Sequence, residues 1–211
     1  MMRFMNVTKT FKDGRGIKDC SFRAEDNEVT GVIGRNGSGK TTLFRIAARL
    51  LCPDSGEADI DGIPLEEYPL SKIGFMPEER SLRKTSTVYD MILLIGRLKG
   101  IPKKEAPGRV DEIVKQLGLE NNKFRRIGEL SKGNARLIAY ACAVIHNPRV
   151  LILDEPLSGL DTGNREELIR RIRKDREGKI TLLSVHEEER IPELCDRVIR
   201  LHEGRIQHDH E

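Results

Sequence analysis

GRNGSGKTT, residues Gly34 to Thr42, stands between the apolar run Val29–Ile33 and the segment LFRIAARLL. Three glycines, a lysine and two threonines make a poor core, and the pattern G-x-x-x-x-G-K-[ST] is instead that of a phosphate cradle. Gly34, Gly37 and Gly39 allow a tight turn in which successive backbone N–H groups of Arg35, Asn36, Ser38 and their neighbours face one concavity. A helix beginning near Lys40 adds unpaired first-turn donors and the positive end of its dipole. Lys40 supplies a cation for β- and γ-phosphates, the Thr41 hydroxyl is a ligand for Mg²⁺, and Thr42 extends the cradle. The plainer alternative is a glycine-rich turn that merely caps a helix. The order strand, loop, helix favours the phosphate site, so the stretch implies a bound nucleoside triphosphate.

Working outward, 211 residues suffice to bury a core and suit one domain carrying a subdomain. Charged residues make up 34% of the chain with a net charge of +3, which leaves no basic surplus for binding nucleic acid by bulk charge. Cys20, Cys52, Cys142 and Cys195 are far apart, so buried free thiols in a reducing compartment are expected before a disulfide framework or a metal site. The opening MMRFMNVTKT lacks a signal-peptide core, and no apolar run approaches the ~20 residues that span a bilayer. A soluble, cytosolic chain is expected.

Short β-like runs recur: RFMNV, VTGVIG, ADIDG, KIGFM, RVLILDE, KITLLSV and DRVIRLHEG. VTGVIG and LILD are almost continuously apolar, as strands buried on both faces of a parallel sheet are. The C-terminal half alternates strand and helix, the rhythm of an α/β fold. Residues 85–130 differ, reading as the helices TVYDMILLIGRLKG and GRVDEIVKQLGL with no strand between them. They are expected to form a helical subdomain inserted into a core built from residues 1–84 and 131–211. The tail HEGRIQHDHE, with His202, His208 and His210, is expected to be a solvated terminus and not a metal site.

The strand Val150–Leu153 delivers Asp154 and Glu155 at its carboxyl end, where parallel α/β sheets bind ligands. Asp154 is placed to hold Mg²⁺, and Glu155 to polarise a water attacking a γ-phosphate. Ser131 and Gly133 open a further helix, so a hydroxyl and backbone N–H groups there form an anion site; a simple helix cap explains the same serine.

Around these residues, ELSKGNARLIAYACAVIHNPRVLILDEPLSGLD resembles the ATP-binding cassette (ABC) ATPase family. There an LSGGQ-type signature precedes the Walker B strand and an SGLD-type D-loop follows it. Here Leu130–Asn134 (LSKGN) matches the signature and Ser158–Asp161 the D-loop, while His186 in LLSVHEEE matches the switch histidine. Phe11 matches the A-loop aromatic that stacks on adenine, although a packing role for it stays open. The resemblance covers essentially the whole chain and implies a P-loop NTPase core with an N-terminal antiparallel β portion and a helical insertion. It implies that Ser131, Gly133 and Asp161 complete the nucleotide site of a second copy, so that two subunits clasp two ATP molecules head to tail. A strand-end histidine with an ordinary structural role remains the alternative for His186.

Three departures from the pattern stand out. In GFMPEER, Glu78 occupies the Q-loop position, with Glu79 as the alternative if the register slips; a carboxylate there still serves Mg²⁺. Lys132 and Asn134 replace a glycine and a glutamine of the signature. The chain also ends soon after the last strand, so no regulatory C-terminal domain is expected. The resemblance implies an ATPase subunit that drives a separate membrane permease, of export type, at the inner face of the membrane. MILLIGRL offers apolar surface either for that permease or for packing within its own subdomain. A soluble cassette acting on ribosomes or nucleic acid is the other class of function; it is disfavoured by the single cassette and the absence of sustained heptads.

Overall fold

The structure is a computed structural model and describes residues 1–78, 82–185 and 191–210. Its centre is a sheet of six strands among those residues: β3 (Val29–Ile33), β6 (Ile73–Met76), β7 (Val150–Leu153), β8 (Ile180–Val185), β9 (Arg197–His202) and β10 (Arg205–His210), in the order β10-β9-β3-β8-β7-β6. All neighbours run parallel except the β9–β10 hairpin. Strands β3, β7 and β8 are buried along their whole length. Because side chains alternate faces, Val150, Ile152, Ile180 and Leu182 enter one apolar cluster while Leu151, Leu153, Leu183 and Val185 enter another. A continuously apolar strand is what two covered faces require.

The first cluster is closed by α1 (Lys40–Ala47) and by an antiparallel sheet ordered β2-β1-β4-β5. That sheet comprises β1 (Met2–Thr10), β2 (Gly16–Ala24), β4 (Ser55–Ile60) and β5 (Ile63–Pro64). The second cluster is covered by α2 (Val88–Leu98), α3 (Ala106–Gln116), α4 (Lys132–Val144) and α5 (Thr162–Asp175); α6 (Ile191–Leu194) follows β8. The expected α/β core, antiparallel β portion and helical insertion are all present. Two backbone hydrogen bonds draw in the neck of the insertion: Ile127 N–H donates to Ser86 O at 3.0 Å and Gly128 N–H to Lys84 O at 2.9 Å.

The tail forms a strand: Glu203 (φ 48°) and Gly204 (φ 80°) make a two-residue turn with both residues left-handed, the geometry that joins tightly paired strands, and His202, Glu203, Arg205 and Gln207 are exposed. RIQHDH carries a single apolar residue, Ile206, so periodicity gave no sign of the pairing. The turn buttresses the glycine loop, since Gly204 N–H donates to Ser38 O at 2.9 Å while Gly204 O accepts from Lys18 N–H at 2.7 Å.

A half-buried histidine just past α4 and a lysine of the insertion meet at one carbonyl of the sheet edge. His146 Nε2 lies 3.2 Å from Ile73 O, the same carbonyl that accepts from Lys99 Nζ at 2.8 Å. Burial, aided by the Lys99 charge, pushes the His146 pKa down to about 4. A depressed histidine stabilises the fold fully above its unfolded pKa of ~6.5 and loses that contribution as pH falls toward its folded pKa. Wild type should therefore lose roughly 2 kcal/mol more than His146→Gln between pH 7 and pH 4 in urea titrations. Parallel stability curves for the two proteins would refute this.

Candidate functional site

The glycine loop leaves β3 and enters α1 as its sequence requires. Gly39 is the N-cap at φ 108°, and a Cβ there would stand 2.6 Å from Gly16 O. Gly34 is excluded from substitution by packing, since a Cβ would meet Leu201 O at 2.2 Å. Lys40 is 6% exposed and folds over the loop, its Nζ donating to Gly34 O at 2.7 Å and Arg35 O at 3.3 Å. Burial lowers its pKa, opposed by the charges of Glu155, Asp154 and Glu78. The ammonium is thus held largely out of water near carboxylates, where it acts strongly on a polyanion.

Asp154, 1% exposed, follows β7 directly. Its Oδ2 accepts from the Thr41 hydroxyl at 3.1 Å and its Oδ1 from the Ser184 hydroxyl at 2.8 Å. Burial raises the Asp154 pKa, against these two hydrogen bonds. The Thr41 hydroxyl and Asp154 carboxylate bring two hard oxygens together beside the loop, a donor set that suits Mg²⁺. Glu155 sits in the left-handed region at φ 53°, and its N–H donates to Ser184 Oγ at 2.7 Å. Non-glycine residues in that region cluster at functional sites, where the surrounding structure holds them.

Phe11, Asn36, Gly37, Gly39, Lys40, Thr41, Thr42 and Glu78 line one cleft of about 600 Å³. Phe11 is 43% exposed, so its ring is available to a ligand and is not a core residue. Arg35 is exposed elsewhere on the loop, and Ser38 is buried beneath it. Ser131 lines a different cleft of about 370 Å³ with Ser158, Gly159 and Glu78. Glu78 therefore borders both. Ser131 caps α4, accepting from Asn134 N–H at 3.1 Å, and Gly133 is buried beside Leu160 and Asp161. The Asp161 carboxylate caps α5, taking Asn164 N–H at 3.0 Å and Asn164 Nδ2 at 2.6 Å. The structure thus gathers the phosphate loop, Asp154, Glu155 and Glu78 and leaves Ser131, Gly133 and Asp161 outside that cleft. His186 and Glu79 lie outside the described residues.

Two contributors escaped the sequence. Ser184 orients both acidic residues from β8, and its one signal is a polar side chain inside the apolar run ITLLSV. Arg136 is the other.

The family model described as ABC transporter matches residues 17–158, more than half of the chain. An uncharacterised ABC transporter ATP-binding protein of Methanocaldococcus jannaschii is 40% identical over 205 residues, covering 96% of this chain and 74% of that protein. Among solved structures, a dimeric ATP-binding cassette bound to ADP and Pi superposes with TM-score 0.89 at 25% identity, covering 100% of this chain and 98% of that one. The cassette cbiO1 of Clostridium perfringens, part of the ABC transporter complex cbiONQ, superposes with TM-score 0.83 at 28% identity, covering 99% and 87%. These relatives favour a transporter subunit over a cassette acting on ribosomes or nucleic acid. The chain belongs to the ABC transporter family and is an ATP-binding subunit and ATPase of it.

Proposed function

We propose that two copies of this chain close on two ATP molecules and that hydrolysis reopens them, driving a separate membrane permease. The observation that carries this reading is the division of the site. The phosphate loop and Glu78 line one cleft, with Asp154 bonded to Thr41 and the Glu155 charge acting on Lys40 beside it, whereas Ser131 caps a helix bordering another. A second copy, related by a twofold axis, brings its Ser131 and Gly133 to the γ-phosphate. The Ser131 oxygen already accepts from Asn134 N–H, so its own proton remains for a phosphate oxygen. Nucleotide bound at both surfaces then holds the pair together by mass action.

Within the cleft, backbone N–H groups of Gly34–Thr42 and the Lys40 ammonium bind the phosphates, and the exposed Phe11 ring stacks on adenine. Thr41 and Asp154, with Glu78 beside them, would hold Mg²⁺, which would supply charge neutralisation of the β- and γ-phosphates. Glu155 takes the proton of the attacking water, and His186, matched to the switch histidine by resemblance, contacts the γ-phosphate. Asp161 orders the turn that faces the partner.

Exposed Leu94 and Leu98 on α2, with Leu70 nearby in sequence to the sheet edge, support docking of a permease on the helical insertion. The chain is then peripheral at the inner membrane face; among the described residues no helix is long and apolar enough to cross a bilayer. Resemblance of the PEER and LSKGN segments supports the reading of an export-type system. Copurification from membranes should bring down a polypeptide with several apolar spans of ~20 residues, and a membrane-free ribosomal complex would contradict the assignment. Glu78→Gln should retain hydrolysis but shift the Mg²⁺ dependence by about threefold or more, because one carboxylate leaves the ion's surroundings. An unchanged metal titration would remove Glu78 from the site.

A further inference from the structure

Arg136 projects from α4 to the opposite wall of the signature cleft. Its Nη1 donates to Pro77 O at 3.2 Å and Glu78 O at 2.8 Å, while Nη2 donates to Asp154 O and Glu155 O. One guanidinium thus gathers four carbonyls from two segments that are far apart in sequence. A planar fork with fixed donors is suited to this, and a lysine point charge is not. Both segments carry the carboxylates that face Lys40. Glu155 is held at its N–H by Ser184 and at its carbonyl by Arg136, in a left-handed conformation that needs such support. Burial lowers the Arg136 pKa, but the carboxylates Glu155, Asp154 and Glu78 oppose that shift, and a guanidinium remains charged at any physiological pH.

We propose that Arg136 is a positioning residue for hydrolysis: it fixes the peptide units that carry Glu78 and Glu155, and so couples the signature helix to the carboxylate that activates water. Ser131 caps the same helix five residues earlier in the chain. A partner's phosphate engaging Ser131 shifts α4, and Arg136 passes that shift to the turn aiming Glu155. ATP bound by one subunit thereby sets the geometry of the base in the other. The inference rests on Glu155 being the general base.

Arg136→Gln and Arg136→Lys, assayed beside Glu155→Gln, test it. Both Arg136 variants should lose about 10-fold or more in kcat, as misplacement of a reacting group does, with KM for ATP and the Kd of a fluorescent nucleotide within about threefold of wild type. Adding Arg136→Gln to Glu155→Gln should cause little further loss, because the group being positioned is already gone. Turnover within about twofold of wild type, or nucleotide affinity and thermal midpoint falling together with kcat, would overturn the role. So would failure of both variants to fold, which would make Arg136 a pillar of the core. Hydrolysis surviving Glu155→Gln refutes the base assignment and this role with it. A dead Glu155→Gln beside a fully active Arg136→Gln refutes the Arg136 role alone.

Discussion

Lys40→Ala is expected to raise the Kd for ATP by about 100-fold or more, measured by titration with a fluorescent nucleotide. The side chain is held over the loop by two carbonyls and shielded from water. At an effective dielectric of about 20, a unit charge 4 Å from a phosphate oxygen is worth about 4 kcal/mol. Part of that is already spent on the loop carbonyls and on desolvation, and about 3 kcal/mol remains, which corresponds to the stated loss. The fold should tolerate the change. Lys40 packs against loop backbone, and α1 is held by Leu43, Phe44, Ile46 and Ala47 in the core. An unchanged Kd in a folded variant would contradict the phosphate-loop reading.

Glu155→Gln is expected to lower the rate of hydrolysis by about 100-fold to 1,000-fold, the range a positioned general base supplies. Glutamine is nearly isosteric, so the left-handed turn, its Ser184 contact and its Arg136 contact survive. The amide cannot accept a proton from water. ATP affinity should stay within about threefold of wild type, because the phosphates are held by the loop and Lys40 and not by this side chain. Steady-state phosphate release and nucleotide binding, measured on the same preparation, separate the two effects. Retention of more than about a tenth of the wild-type rate would assign the base elsewhere.

How much of this could be read from the chain depended on whether the signal was local. Residues Gly34–Thr42 are, because a tight anion-binding turn requires glycine and lysine at fixed spacing wherever it occurs. The doubly buried strands were legible for the same reason, and so was the helical insertion: α2 and α3 fall within the two helical stretches read from the sequence, apart from the two residues at the start of α3. Strand β2 was missed because Asp19, at φ 53°, sits at a bulge that puts Ile17 and Cys20 on the same face and breaks the period of two. The C-terminal strand was missed because pairing with β9, not apolar alternation, defines it. The tight Glu203–Gly204 turn was its available cue.

The site divided in the same way. The acidic pair, the capping serine and the loop lysine were found because each announces its chemistry beside an element boundary. Arg136 and Ser184 act on backbone groups 18 or more residues away, a relation that exists only in the folded chain. Asp161, read as a nucleotide contact from the family pattern, spends both carboxylate oxygens on Asn164, a local cap visible in DTGN only with hindsight.

Light scattering of Glu155→Gln with and without ATP and Mg²⁺ tests the shared site most directly. The account predicts a monomer without nucleotide, a particle of twice that mass carrying two ATP molecules with it, and a return to monomer when Ser131→Arg is added. A monomer that retains tightly bound ATP, or a dimer indifferent to Ser131, would mean that one chain encloses its nucleotide alone.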